Sequence, residues 1–348
     1  MLFFVRLDGA RLVEKMSSNK MSRRKFIATV GGVAVVAGVS GGILYEVFRP
    51  KLITELPRHV VPNAYTQNGK SLLSIVKGTP ETNVETMVRE AVDAIGGMNR
   101  IVSSGTRVVV KPAILNDQSY VAPDPRVVAE VVRLAINAGG SVVVAECSGG
   151  GDTEYCMRQQ GITSAVQAAG ATVRYLNTES QIQIAVPNGV TLHDVKTFPT
   201  IYDCDVLISV PRLKSHGRPT PTVTISLKNM MGVIPLSEMD RFHNIGLSQC
   251  IADVNTVMKP SLTVVDATYA MARSGPYGGD PIEMDMIMAS GDPVAIDLIG
   301  AQKLMELEQQ HNIPTFDYTD IDHINAAAAL GVGTNNPNNI TIVERNIS

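Results

Sequence analysis

Short β-branched runs alternate with amphipathic segments from Leu72 to Leu330, and this alternation restricts the chain to an α/β architecture more than any other feature. Leu72–Val76, Arg107–Lys111 and Ser141–Ala145 are apolar runs too short for helices, with no polar alternation, as expected of strands buried on both faces. Glu81–Ile95 places Val84, Met87, Val88, Ala91, Val92 and Ile95 on one helical face, and Gly96-Gly97 ends it. Asp124-Pro125 supplies a cap and a first-turn proline for a helix over Arg126–Ala138, closed by Gly139-Gly140. The pattern predicts a helical region at Thr153–Ala169 and strands at Ala171–Leu176 and Asp205–Val210. It continues with a helix at Ile245–Met258, strands at Ser261–Val265 and Ile282–Ala289, and helices at Pro293–Leu307 and Thr319–Leu330. The expectation is a mostly parallel sheet covered by helices on both faces, preceded by an amino-terminal signal or anchor helix. Ligands of such sheets bind at the carboxyl ends of the strands.

The amino terminus has a different character. Ser22-Arg23-Arg24-Lys25-Phe26-Ile27 resembles the twin-arginine export signal, and Phe26–Tyr45 follows as twenty residues without a charged side chain. At 1.5 Å per residue such a helix is about 30 Å long, enough to cross a bilayer. Gly38 and Gly42 have a GxxxG spacing, and no A-x-A-like cleavage site stands out before Tyr45. Met16 and Met21 are alternative translation starts. The reading is a signal or membrane anchor at 1–50, a proline-rich linker at 51–70 and an α/β body at 71–348. The implied partners are the twin-arginine translocase and the membrane. The destination is the outer face of the cytoplasmic membrane or the extracytoplasmic space.

Charge follows the same division. The net charge of −3 combines +6 in residues 1–51, from nine basic and three acidic side chains, with −9 in the remainder. An acidic body is unsuited to neutralising phosphate backbones, which excludes nucleic acid as a partner. Cys147, Cys156, Cys204 and Cys250 contain no C-x-x-C spacing, so iron–sulfur and zinc-ribbon chemistry have no support and a redox partner is disfavoured.

Three regions carry candidate chemistry. The strand Ser141–Ala145 runs into Glu146-Cys147-Ser148-Gly149-Gly150-Gly151-Asp152, where Ser148, Gly149, Gly150 and Gly151 offer backbone amides to an anion. The simpler alternative is a turn capped by Asp152. After Asp205–Val210 comes Arg212-Leu213-Lys214-Ser215-His216, and then Lys228-Asn229 within an apolar segment. Cations at a strand end in an acidic body suggest a carboxylate or phosphate site, with His216 as proton carrier and Arg241 and His243 as additional contacts. The third region is acidic. Asp266, Asp280 and Asp292 are oxygen donors suited to a divalent metal, although Asp292-Pro293 also reads as a helix cap.

Val108–Pro112, Ala145-Glu146 with Gly149-Gly150, Pro211–His216, Ser226–Gly232 and Ser290–Asp297 together resemble the domain of unknown function 362 family, in the same order and spanning Arg107 to Leu304. The resemblance implies an α/β domain and brings no settled activity. Some relatives carry ferredoxin-like cysteine clusters that are missing here, and Ala113 stands where the family pattern often has asparagine. A similarity to the lactate-racemase-type fold would be an analogy of architecture, which carries no function. The functional expectation is a small anionic organic ligand held by Lys111, Arg212, Lys214, Lys228 and Asn229 and cradled by Ser148–Gly151. His216, Glu146 or Asp266 would move protons, in an enzyme of unassigned reaction class. The competing expectation is a non-catalytic binding or accessory protein at the membrane.

Overall fold

The computed structural model describes residues 52–216, 222–273 and 275–348. The twin-arginine motif and the apolar segment after it lie outside these residues, and no helix among the described residues is long and apolar enough to cross a membrane.

Strands β1 (Leu52–Ile53) and β2 (Thr66–Gln67) precede β3 (Lys70–Lys77) and helix α1 (Val84–Ala94). Next come β4 (Arg107–Pro112), α2 (Pro125–Asn137), β5 (Ser141–Glu146), α3 (Thr153–Gln159), α4 (Ile162–Ala168) and β6 (Thr172–Tyr175). The pair β7 (Ile182–Ala185) and β8 (Asp194–Thr197) is followed by α5 (Pro199–Tyr202), β9 (Val206–Val210), β10 (Arg212–Ser215) and β11 (Val223–Thr224). Helices α6 (Ser226–Asn229), α7 (Leu236–Ile245) and α8 (Leu247–Asn255) lead to β12 (Leu262–Ala272) and β13 (Asp280–Ser290). Helices α9 (Pro293–Gln310) and α10 (Asp322–Ala329) and strand β14 (Ile340–Asn346) follow.

The large sheet has the order β14-β3-β13-β12-β9-β4-β5-β6. From β12 through β9, β4 and β5 to β6 every pairing is parallel. The β12–β13 and β13–β3 pairings are antiparallel, so the sheet is mixed, with a long hairpin added to a parallel half. Successive strand residues alternate between two cores. Val109, Ala145, Leu207 and Val265 face one, whereas Val108, Val110, Val144, Ile208 and Val264 face the other. Helices α1 to α4 cover the second core, and α7 to α10 cover the first. Burial on both faces explains why these strands read as unbroken apolar runs.

Several expectations need correction. Thr153–Ala169 is two helices, divided at Gly161 (φ 72°), and the helix expected at Ile245–Met258 is α8 (Leu247–Asn255), set off by Gly246 (φ 122°) from α7, which ends at Ile245. The strand expected to stop at Val265 continues to Ala272, since β13 and β10 both pair with its second half. Residues 52–70 are no free linker: β1 pairs with β7 and β2 with β3, and Tyr65 is buried with its hydroxyl donating to Gly97 O at 3.2 Å. His59 is likewise buried, its Nδ1 3.4 Å from Cys204 Sγ.

Asp292 is a structural cap, and this replaces the metal reading. Its Oδ1 accepts from Val294 N (3.0 Å) and Ala295 N (2.9 Å), while Oδ2 accepts from Ser71 Oγ (2.7 Å) and Thr334 N (3.1 Å). One buried carboxylate thereby ties the start of α9 to β3 and to the segment before β14. Asp292→Ala removes a cap and leaves buried donors unpaired, so it is expected to lower unfolding free energy by about 2–4 kcal/mol. Asp292→Asn, which keeps one acceptor, should cost less. Urea denaturation followed by circular dichroism checks both.

Candidate functional site

The order of the parallel strands reverses between β4 and β9, since β5 and β6 lie to one side of β4 while β9 and β12 lie to the other. Such a switch point opens a crevice at the strand carboxyl ends. A cavity of about 360 Å³ lies there, lined by Lys111 from the end of β4, Glu146 from the end of β5, Lys214 from β10 and Lys228 and Asn229 from α6.

Its floor is a buried ion pair. Lys111 Nζ donates to Glu146 Oε2 at 2.7 Å, to Asn229 Oδ1 at 2.6 Å and to Pro112 O at 2.8 Å, which uses all three ammonium protons. Glu146 also accepts from Ile114 N (3.0 Å) and Cys147 N (2.9 Å). The amide of Asn229 returns to Lys111 O (3.2 Å) and Ser209 Oγ (3.0 Å). Burial pushes the glutamate up and the lysine down, and the mutual attraction of the pair opposes both shifts. Gly232 closes over this floor: a Cβ there would stand 2.1 Å from Glu146 Oε1 and 2.4 Å from Lys111 Nζ. The sequence expectation assigned Lys111 to an anion and Glu146 to proton transfer, but the structure commits each to the other.

Positive charge remains on Lys214 and Lys228. Lys214 Nζ donates to Val121 O at 2.9 Å and Lys228 Nζ contacts Met231 Sδ at 2.9 Å, and among the described residues neither meets a carboxylate. Burial, together with the charges of Arg212 and Lys111, pulls Lys214 down to about 7. Burial alone pulls Lys228 down to about 8. The fold holds Lys228 in place through Asp297, which accepts from Ser226 N (2.7 Å) and Leu227 N (3.1 Å) at the start of α6. Asp297 is fully buried, and burial pushes its carboxyl up to about 8.

His216 lines the cavity with its Nδ1 2.7 Å from Thr224 Oγ1. Burial and the neighbouring Lys228 and Lys214 hold its pKa down at about 3, so the ring is neutral at physiological pH. His243 also faces the cavity, and its Nδ1 bonds to Met239 O at 2.7 Å. Cys147 is present as the thiol, because burial and Glu146 push it up to about 11. Ala113 lines the wall where the family pattern often carries asparagine.

Other expected site residues lie elsewhere. Arg212 is buried against Asp266, with Nη2 3.0 Å from Oδ2, and also donates to Ala122 O (2.8 Å) and Tyr269 O (3.0 Å). Asp266 further accepts from Asp124 N at 2.6 Å and Thr268 Oγ1 at 2.7 Å. With every lone pair occupied by structural donors, it is unsuited to act as proton carrier or metal ligand. Asp280 pairs with Arg273 on the exposed hairpin at 3.0 Å, so the three aspartates do not converge, and no cluster of metal-ligating side chains occurs among the described residues. Arg241 turns away to Glu238 at 2.9 Å. In the glycine turn only Gly149 lines the cavity. Ser148 Oγ is spent on Leu115 O at 2.6 Å, a Cβ on Gly150 would meet Leu115 O at 2.6 Å, and Gly151 packs near Cys156 Sγ. The turn thus fits tightly against the Leu115 backbone. Leu115, Leu236, Met239, Asp240 and Tyr277 line the cavity without having been singled out; Leu115 and Tyr277 lie in loops and the other three on α7.

The ion pair yields a testable asymmetry. Glu146→Gln strands a buried ammonium and should cost about 3–5 kcal/mol. Lys111→Met combined with Glu146→Leu removes both charges and should cost less than the single change, as read by urea denaturation.

Comparison with known proteins follows this geometry. Thylakoid-associated protein sll1697 of Synechocystis sp. is 25% identical over 251 residues, covering 70% of this chain and 76% of that protein. The lactate racemase apoprotein of Thermoanaerobacterium thermosaccharolyticum superposes with a TM-score of 0.38 and 11% identity, covering 61% of this chain and 52% of that one, so this chain spans about half its length. The match to the family described as Domain of unknown function (DUF362) covers residues 108–302, and with it most of the cavity wall. The chain belongs to that family.

Proposed function

We propose that the cavity at the strand ends binds a small organic anion, and that Lys214 exchanges a proton with it. The observation that carries this reading is the presence of two ammonium groups in the cavity lining, Lys214 buried and Lys228 half-buried, neither of which forms an ion pair with a carboxylate among the described residues. Buried charge without a counter-charge is costly, and an entering anion removes that cost. A lysine near neutrality also suits general acid–base chemistry. Glu146 and neutral His216 then act as fixed acceptor and hydrogen-bonding wall.

The pH dependence has a definite sign. Lys214 (about 7) and Lys228 (about 8) are cationic below those values and neutral above them, so anion affinity should be highest near pH 6.5 and fall through pH 7–8. Malonate and inorganic phosphate serve as probes in isothermal titration calorimetry. Lys214→Met should weaken malonate binding by at least roughly tenfold at pH 6.5, about the value of one charge-assisted hydrogen bond. At pH 9 the variant and the parent should converge. The absence of saturable binding by either probe, or equal affinity in the variant, rejects the proposal.

A non-catalytic carrier is the second reading, favoured by the full commitment of Glu146 to Lys111 and backbone amides. Deuterium exchange into the malonate methylene, catalysed by the protein and lost in Lys214→Met while binding persists, separates an enzyme from a carrier.

The twin-arginine-like Ser22–Ile27 and the apolar Phe26–Tyr45 support export with retention at the membrane. A membrane setting agrees with the name of the thylakoid-associated relative. Residues 1–50 fused to a folded reporter should carry it across the membrane, and the joint change Arg23→Lys with Arg24→Lys should abolish transport. Transport that survives the change rejects the signal.

A further inference from the structure

The cavity is chemically divided along its depth. Its inner part holds the amines of Lys214 and Lys228 and the ion pair described above. Its mouth has Leu236 and Tyr277, which are 49% and 57% exposed although both are large apolar or aromatic side chains. The lining also contains the apolar Leu115, Met231, Met239 and Pro276, of which Met231 and Met239 are buried. The two rim residues come from separate elements, since Leu236 opens α7 and Tyr277 belongs to the β12–β13 loop, yet they border one opening. Asp240 and His243, one and two turns along α7 from Leu236, add the polar groups of that rim. A bare anion would use none of the apolar wall. The methionines offer a polarizable surface that adapts to varied chains, and an exposed Leu–Tyr rim is otherwise an unfavourable use of surface.

On the reading that the lysines hold an anion, we infer that the ligand is an amphipathic carboxylate: its head lies against Lys214 and Lys228, and its apolar body runs past Met231 and Met239 to Leu236 and Tyr277. Head and body then meet walls of matching polarity along a single path. The arrangement selects against two neighbours of such a ligand. A small hydrophilic anion leaves the apolar wall wet, and a neutral alcohol of the same length leaves two amines unpaired.

The test is a chain-length series of acetate, butyrate, hexanoate and octanoate, titrated into the full chain at pH 6.5 by calorimetry. Each buried methylene should tighten binding by roughly fourfold until the mouth is reached, after which the gain stops. Leu236→Ser and Tyr277→Ser, both at exposed positions, should shrink the hexanoate-to-acetate affinity ratio severalfold. Hexanol should bind far more weakly than hexanoate. Acetate binding with no gain along the series overturns this inference while leaving the anion site intact. A gain that is unchanged in the Leu236→Ser, Tyr277→Ser double variant places the apolar contact elsewhere and overturns it as well. If no member of the series binds, the anion reading itself falls.

Discussion

The Lys111–Glu146 pair is the interaction on which the architecture of the cavity depends. It joins the carboxyl ends of two adjacent parallel strands, engages Asn229 from a four-residue helix, and is covered by Gly232, where a Cβ would displace the pair. A pair so deeply buried contributes little net stability against an apolar replacement of the same volume. Its contribution is geometric: three elements distant in sequence are fixed by one set of short hydrogen bonds. Lys214 and Lys228 line the same cavity around that frame, both pulled below the usual lysine range, Lys228 by burial and Lys214 by burial and then by its neighbouring cations.

Asp297 and Asp292 extend the same logic outward. Both sit near the start of α9, one supporting the turn that carries Lys228 and the other joining α9 to β3. Asp266 and Asp292, two of the three aspartates that read as metal donors in sequence, are buried and already receive backbone amides and hydroxyls, with Arg212 added at Asp266.

The parallel half of the sheet was legible because strands buried on both faces leave unbroken apolar runs, and the location of the cavity followed from the rule for strand ends. Lys111, Lys214, Lys228 and Asn229 could be selected on those grounds. What sequence could not convey was which opposite charges lie across from one another. Arg212 and Asp266 are register partners on adjacent strands, and Lys111 and Glu146 end neighbouring ones, so charges that looked available are already matched. Both strands of the antiparallel hairpin were expected, at Ser261–Val265 and Ile282–Ala289, but their pairing and the extension of β12 to Ala272 were not, because a strand pattern does not say which strand lies beside it. Residues 52–70 looked like a linker because two-residue strands leave almost no pattern. The apolar mouth depends on loops whose proximity only the folded chain creates.

The crowding of amines has one more consequence. Burial and then the charges of Arg212 and Lys111 leave Lys214 only partly protonated near neutral pH, and a carboxylate settling beside it would raise its affinity for hydrogen ion. Anion binding would then draw in a fraction of a proton, and its strength would follow the acidity of the surrounding solution.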